Sequence, residues 1–455
     1  MKFTARPREI GIGLMGLGVV GGGVAKVLSH HAHPLSRKAG SPIKLKKVLV
    51  RDIAKPRSLL LPHGLLTTDS QDILADPEVQ IVVEVMGGED PATQYIHQAL
   101  SSGKHVVTAN KEVMAKHGPE LTALASTQKV NLLFEASVGG GIPIIGPLMK
   151  DLLANDIRSI HAIINGTTNY ILTRMARDRV DFHEGLKEAQ AQGYAEADPT
   201  NDIDGIDAAY KLAVLATLAF HTRVHATEVY REGISRLQPQ DFRYAQELGY
   251  AIKLLAIATK VGDGEKGQGK SPLPPPTVPH LYVRVHPSFV PQEHMLAKVD
   301  GVLNAVEVEG DLIGRVLFHG MGAGREPTTS AVIGDVLEIA RKIVSGSEPV
   351  PATELDEHLI IAPMSGLMSK YYLRLNVADR AGVLAQIATI LGDLNISIAS
   401  VIQKDTDPAT QTAEIVVTTH PAREDAMQES LKRMERLKAV REVNNLVRIE
   451  DWSSK

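Results

Sequence analysis

The chain of 455 residues contains no cysteine, which excludes disulfides, thiolate metal sites and a cysteine nucleophile. It has no apolar run long and clean enough to span a bilayer, and no short tandem repeat. Positive charge is not in excess either. The formal net charge is -4, so neither a basic nucleic-acid groove nor a polybasic membrane patch is expected. The opening Met1-Lys-Phe-Thr-Ala-Arg leads within a few residues into a strand-like segment rather than a signal peptide. A cytoplasmic protein without membrane or nucleic-acid partners is the expectation. What is present, 44% hydrophobic and 22% charged residues, is ordinary for a globular protein, and the length predicts two or three domains.

Short apolar runs at Glu9 to Met15, Ile43 to Val50, Ile81 to Met86, His105 to Thr108 and Val130 to Phe134 alternate with helical patterns. That alternation predicts an α/β, doubly wound parallel sheet. Near Glu135-Ala-Ser-Val-Gly-Gly-Gly-Ile-Pro the pattern changes to a mixed region of longer helices and strands, up to about Ser345. The Gly/Pro-rich stretch Gly262 to Pro276 reads as a flexible loop joining two strands, and Ser345 to Pro351 begins a polar linker. From about Tyr371 the order is strand, helix, strand, strand, helix, strand. The strands are Tyr371 to Val377, Ile396 to Gln403, Ala413 to Thr418 and Val440 to Ile449. The helices are Val383 to Leu391 and Ala422 to Arg436. This is the ferredoxin-like βαββαβ arrangement.

The stretch Gly193-Tyr-Ala-Glu196-Ala-Asp198-Pro-Thr-Asn-Asp202-Ile-Asp204-Gly-Ile-Asp207-Ala-Ala-Tyr-Lys211 carries the most chemistry. On a helix Asp207 and Lys211 lie one turn apart on one face. A surface ion pair is the bland reading of that spacing and contributes little. The following Leu212 to Phe220 is apolar nearly all round, however, which predicts a buried helix with no solvated face for the pair. A lysine at the edge of an apolar region has a labile proton, and a nearby carboxylate fixes where it points. The arrangement reads as an acid–base device.

Gly16-x-Gly18-x-x-Gly21 sits between a strand and a helix, the setting of a dinucleotide-binding fingerprint. The first glycine allows the tight turn, the second lets the backbone approach a pyrophosphate, and the third brings helix close to strand. The helix N-terminus adds amide donors for phosphates. After the second strand come Arg51 and Asp52, then Lys55 and Arg57. A carboxylate there binds a ribose diol and an arginine tolerates a 2′-phosphate, so three cations favour NADP, with NAD as the alternative. Thr108-Ala-Asn-Lys111 follows a strand at the carboxyl edge where open α/β sheets bind ligands, and a lysine there meets a phosphate or a carboxylate as a point charge. His221-x-x-x-His225 and His30-His31-Ala-His33 lack a third ligand. Asp198, Asp202 and Asp204 lack a calcium-loop pattern and read as caps and solvated turns.

Together these segments resemble homoserine dehydrogenases. The resemblance rests on the fingerprint, Val85-Met-Gly-Gly88, Thr108 to Lys111, Phe134 to Pro143, Asn165-Gly-Thr-Thr-Asn169, Gly193 to Lys211 and Gly320-Met-Gly-Ala-Gly-Arg-Glu-Pro-Thr328, in the family's order over most of residues 9 to 345. It implies reversible NAD(P)H-dependent reduction of L-aspartate 4-semialdehyde to L-homoserine. Lys211 matches the family's proton donor and acceptor, Glu196 and Asp207 its substrate-holding carboxylates, and Asp207 is a second catalytic candidate. Lys111 matches a substrate and cofactor contact. Other cofactor contacts match Gly16, Gly18, Val20, Gly21, Arg51, Gly193 and Gly322. A structural sodium ion is implied at Glu135, Val138, Gly140 and Ile142. Val19 stands where many relatives carry threonine, so a hydroxyl contact to phosphate is lost. Spacing does not decide which carboxylate also orients Lys211.

On the same resemblance the chain divides into a Rossmann domain over 1–140 with a returning helix near 325–345, an α+β substrate-binding and dimerisation domain over 141–330, a linker over 346–370, and a regulatory domain over 371–452. Asp379-Arg-Ala-Gly382-Val-Leu384 and Asn395-Ile-Ser-Ile398 resemble ACT domains, which pair through their sheets and bind small amino acids. This implies L-threonine as a feedback effector, with a module that only dimerises as the alternative, and a homodimer or homotetramer. A rival dehydrogenase for another small polar aldehyde is opposed by Glu196, which implies an ammonium-bearing substrate. A non-catalytic amino-acid sensor is opposed by the intact fingerprint with Lys211, Asp207 and Glu196.

Overall fold

The computed structural model describes residues 9–349, 355 and 358–452, apart from 58, 60, 63 and 263–278. The strand-joining loop expected from Gly262 therefore lies, from residue 263, outside the described residues. By internal contacts the chain forms two units. The first holds the described residues of Met1–Asp156, Tyr210–Ala226 and Gly310–Glu357, and the second those of Ile157–Ala209, Thr227–Glu309 and His358–Lys455.

In the first unit β1 (Ile10–Met15), β2 (Ile43–Leu49), β3 (Leu66–Thr67), β4 (Ile81–Glu84), β5 (His105–Thr108) and β6 (Leu132–Leu133) form a sheet of order β3-β2-β1-β4-β5-β6. Its pairings are parallel. Every residue of β1 is buried, as a strand covered on both faces must be. Helix Val19–His30 buries Val24 and Leu28 against the sheet, and helix Arg325–Ser345 returns to bury Val332, Val336 and Ile339 in the same core. Each such side chain contributes roughly 1.5–3 kcal/mol. The order reverses at β1 and β4, which makes their carboxyl ends the switch point where such sheets take ligands.

Two strands are shorter than their apolar runs. The run from Ile81 stops pairing at Glu84, because the Glu84 carboxylate accepts the Met86 amide at 2.7 Å and Gly87 and Gly88 turn at positive φ. The run from Val130 keeps only Leu132–Leu133, since Glu135–Ser137 winds into a 3-10 turn.

The remaining strands are β7 (Ile157–Ile163), β8 (Tyr230–Arg231), β9 (Tyr250–Val261), β10 (His280–Pro291), β11 (Leu303–Gly310), β12 (Gly314–Met321), β13 (Ile360–Ile361), β14 (Met368–Ala378), β15 (Ile398–Asp407), β16 (Thr412–Thr419), β17 (Ala422–Arg423) and β18 (Val440–Ile449). In the second unit a mixed sheet runs β11-β7-β9-β10-β18-β14-β16-β15. Its C-terminal part, β18-β14-β16-β15 with helices Val383–Asp393 and Glu424–Glu435, is the ferredoxin-like module, cored by Leu373, Leu375, Ile387, Leu391, Ile415, Val417 and Met427. The module is not hung on a free tether. β18 pairs in parallel with β10 (Ser288 opposite Arg448, Phe289 opposite Ile449), so the two sheets are continuous. Within the expected linker, Ile360–Ile361 pairs with β10 and Met364–Gly366 forms a 3-10 turn.

Candidate functional site

The glycine fingerprint has three distinct geometries. Gly16 sits at φ +100°, a conformation open to glycine, and closes the turn after β1. A Cβ on Gly21 would lie 2.1 Å from the Gly16 carbonyl oxygen, so only glycine lets the helix approach there. Gly18, the N-cap of helix Val19–His30, has nothing within 4 Å of its Cβ position and presents its backbone to open space. Val19 is 62% exposed beside it. Gly16, Gly18 and Val19 border a cleft of about 1660 Å³ that also takes in Arg51, Met86, Gly87, Arg325 and Ser330. Val20, Gly21, Lys111 and Gly322 do not line it.

Arg51, Asp52 and Lys55 line the cleft with Arg57, but Arg57 has a different task from the one its charge predicts. Its guanidinium donates to the carbonyls of Asp52 (2.5 Å), Lys55 (2.8 Å) and Ile53 (3.2 Å). Asp52 in turn accepts the Ala54 amide at 2.8 Å. Arg57 is a brace that shapes the loop.

Lys111 opens helix Lys111–Thr127, whose N-cap Asn110 accepts the Val113 amide at 3.2 Å and donates to the Gly88 carbonyl at 2.7 Å. The same helix meets the segment carrying Lys211. The Lys116 ammonium lies 5.8 Å from the Tyr210 ring centroid and pairs with Glu89 (2.6 Å) and Glu112 (2.7 Å), while Arg223 pairs with Glu120.

Helix Ile206–Phe220 carries both Asp207 and Lys211, one turn apart as the spacing predicts. Asp207 is buried and Lys211 half-buried. Asp207 is held from a distant part of the second unit, where Asn165 Nδ2 donates to Asp207 Oδ2 at 3.0 Å and to Asp202 Oδ1 at 2.6 Å. The other end of the Asn165 amide caps helix Gly166–Asp178 by accepting the Thr168 amide at 2.9 Å. Asp202 is therefore a partner in a part-buried network rather than a solvated turn, whereas Asp198 closes a local turn, accepting the Thr200 hydroxyl at 2.6 Å and its amide at 3.1 Å. Asn165 was legible only as part of a family motif. An asparagine opening a helix directly after a strand is the local signal that could have raised it.

Gly193 ends helix Phe182–Ala191 at φ +75°. Glu196 follows with an exposed side chain, and its carbonyl accepts Gln190 Nε2 at 3.1 Å. Tyr194 packs on Tyr170 (centroids 5.0 Å apart), and its carbonyl accepts the Thr167 hydroxyl at 2.7 Å.

The Glu135 loop is an oxygen-rich turn. Glu135 Oε1 accepts the amides of Ile144 (2.6 Å) and Ile145 (2.9 Å), and Oε2 that of Gly146 (2.6 Å). Among the described residues no amide donates to the carbonyls of Val138, Gly140 or Ile142. The loop abuts the one holding Gly322, through Gly141 N to Met321 O at 3.1 Å. Carbonyl oxygens are the hard donor type a monovalent cation takes, while the Glu135 carboxylate is already committed to three amides. His221, beyond the end of its helix at φ +50°, shares no helix face with His225.

In the C-terminal module Gly382 (φ +86°) is the N-cap of helix Val383–Asp393, and the Asp379 amide donates to the Gln411 carbonyl at 2.9 Å. No helix among the described residues is long and apolar enough to cross a membrane.

Residues 16–135 match the family model described as "Homoserine dehydrogenase, NAD binding domain", residues 143–337 match homoserine dehydrogenase, and residues 371–439 match the ACT domain. A homoserine dehydrogenase of Synechocystis sp. is 44% identical, over 96% of this chain and 99% of the relative. That of Neisseria gonorrhoeae is 41% identical, over 97% and 99%. The crystal structure of a homoserine dehydrogenase from Thiobacillus denitrificans aligns with a TM-score of 0.87 at 43% identity, covering 97% of this chain and 98% of that one. A hyperthermophilic archaeal homoserine dehydrogenase mutant in complex with NADPH aligns at 0.60 and 26% identity, over 73% and 98%.

Proposed function

Because this chain belongs to the homoserine dehydrogenase family, we propose that it interconverts L-aspartate 4-semialdehyde and L-homoserine, on the route to threonine, methionine and isoleucine, with NADP(H) preferred to NAD(H). The observation that carries the residue assignment is the single helix bearing Asp207 and Lys211 on one face, with Asp207 fixed by Asn165. When bound, the nicotinamide cofactor supplies a hydride to the aldehyde carbon. The carbonyl oxygen then develops alkoxide character, too basic to form free in water. Lys211 donates the proton that neutralises it, and in the reverse direction takes the proton from the alcohol. Lysine has a reference pKa of about 10.4, and partial desolvation makes its ammonium a better acid.

Asp207 holds the substrate and steers Lys211, Glu196 pairs with the substrate ammonium, and Lys111 meets substrate and cofactor. Gly16, Gly18, Val20, Gly21, Gly193 and Gly322 would contact the cofactor, with Gly18 offering its backbone to the pyrophosphate. Arg51, aided by Lys55, favours a 2′-phosphate. The NADPH of the archaeal relative supports this preference. A sodium ion held by Glu135, Val138, Gly140 and Ile142 would stiffen the loop beside Gly322. The ACT module is read as the seat of an L-threonine effector, and the enzyme as a cytoplasmic homodimer or homotetramer.

The test is NADPH consumption with L-aspartate 4-semialdehyde, comparing wild type with Lys211→Ala. Collapse in the variant supports both reaction and proton donor. Equal rates would keep the reaction and remove Lys211 from it. Silence from folded wild type, with NADH as well, would favour an amino-acid sensor.

A further inference from the structure

At the last position of β4, where an aliphatic side chain would be buried at no electrostatic cost, the protein places Glu84 with no solvent exposure. A buried carboxylate is costly unless its oxygens find donors, and burial still pushes the Glu84 pKa up. Each oxygen has a donor. Oε1 accepts the Met86 amide at 2.7 Å and Oε2 the Thr108 hydroxyl at 2.6 Å, on the residue opposite Glu84 in β5. Thr108 Oγ1 accepts the Asn110 amide at 3.0 Å, and Asn110 both caps helix Lys111–Thr127 and donates to Gly88 O. The bonds close into a ring through Glu84, Thr108, Asn110, Gly88 and the backbone to Met86. The ring joins the loops that leave β4 and β5 at the carboxyl edge, and Met86 and Gly87 line the nucleotide cleft.

We propose that Glu84 is a positioning residue, which through Thr108 and Asn110 fixes where the helix bearing Lys111 begins. The inference rests on the reading that Lys111 meets substrate and cofactor. Hydrogen-bond polarity explains the choice of a carboxylate. The Asn110 amide can only donate, so the Thr108 hydroxyl receives it and must send its own proton to Glu84. An isosteric glutamine accepts from Met86 but offers Thr108 a donor. The hydroxyl proton is then left without an acceptor inside the protein, and the ring opens at Thr108. A shift of the Lys111 helix by even about 1 Å is enough to cost up to 100-fold in rate.

The experiment combines steady-state kinetics on the full-length enzyme, NADPH and semialdehyde varied separately, with thermal melts of Glu84→Gln, Thr108→Val, Thr108→Ser, Lys111→Ala and the Glu84→Gln/Lys111→Ala double variant. The expected result is a loss of about 10- to 100-fold in kcat/KM for the semialdehyde in Glu84→Gln and Thr108→Val. Thr108→Ser, which keeps the hydroxyl, stays within about 3-fold of wild type, and Glu84→Gln changes kcat/KM by less than about 3-fold once Lys111 is alanine. Lowered melting temperature with unaltered kinetics would reduce Glu84 to a structural group and overturn the proposal. So would an undiminished Glu84→Gln loss on the Lys111→Ala background, because the carboxylate would then act by another route. If Glu84→Gln does not fold, the contrast between Thr108→Val and Thr108→Ser, each with and without Lys111, decides in the same way. Unchanged kinetics in Lys111→Ala would instead remove the role of that lysine, and the inference with it.

Discussion

The ACT module should be inseparable from the region that precedes it, and Arg374→Met is the substitution that tests this most directly. Arg374 on β14 has a side chain 2% exposed, and its partner Asp241 on helix Pro239–Glu247 is not exposed at all. The guanidinium reaches Asp241 Oδ1 at 2.7 Å and Oδ2 at 3.2 Å, Gln238 Oε1 at 2.8 Å and Glu414 Oε2 at 3.0 Å. Removing one partner of a buried pair typically costs 3–5 kcal/mol, because the other charge stays buried. Asp241 would keep three neutral donors, the Gln238 amide (2.9 Å), Asn445 Nδ2 (2.9 Å) and the Tyr372 hydroxyl (3.1 Å). These place the cost at the lower end, about 3 kcal/mol. For a unit of this size that is a fall in Tm of roughly 6–12 °C.

Scanning calorimetry or near-UV circular dichroism of the full chain reads the change. Arg374→Met/Asp241→Asn, which removes both charges, should recover at least half of the loss. An Arg374→Met protein melting within about 2 °C of wild type would refute the reasoning, as would a double variant less stable than the single. The same arithmetic applies to excision of the ACT module. That would strip Arg374 from Asp241, Arg448 from Glu232 (2.9 Å), and β18 from the edge of β10.

His105 supplies a pH test. Burial, then the charge of Lys342, lowers its pKa to about 4, and the neutral ring accepts the Asn131 amide at 2.9 Å. The unfolded chain binds this proton below about 6.5 and the folded chain only near 4. The stabilisation is therefore whole above pH 6.5 and lost as pH falls toward 4, about 3 kcal/mol in all. His105→Asn should flatten the dependence of Tm on pH across that window, and an unchanged slope would remove His105 as its source. Gly21→Ala, with its Cβ 2.1 Å from the Gly16 oxygen, should weaken NADPH binding at least about 10-fold by fluorescence titration; unaltered affinity would mean the turn relaxes freely. Asn165→Ser keeps a helix cap but not the amide donors to Asp202 and Asp207. Its kcat/KM for the semialdehyde should fall about 10-fold with less than about 1 kcal/mol lost in stability, and a purely thermal effect would confine Asn165 to capping.

What could be read from the sequence was local in the chain. Gly16, Gly18 and Gly21 lie within one strand–turn–helix unit, and Asp207 and Lys211 within one helical turn, so composition and period were enough to single them out as candidates. The βαββαβ order of the C-terminal module was likewise legible, because Tyr371, Leu373, Leu375 and Val377 on β14, and Ala413, Ile415 and Val417 on β16, enter its core at alternate positions. The polar groups that hold those features in place were not. Asn165 lies 37 and 42 residues from Asp202 and Asp207, and Arg374 lies 133 from Asp241. Hydrophobic period says which face is buried but not which charge will be buried with its complement. A lone Arg or Asp in an apolar strand therefore looks like an error until the partner is seen. Arg57 fails in the opposite sense. Counted as a cation it argues for a phosphate, yet its donors are spent on three carbonyls of its own loop. Charge in a sequence states what a residue can bind, and only the geometry of its nearest acceptors states what remains to be offered to a ligand. By that measure Arg51→Ala should lower NADPH affinity selectively over NADH, whereas Arg57→Ala should weaken both by loosening the loop. Equal selectivity in the two variants would return Arg57 to the phosphate.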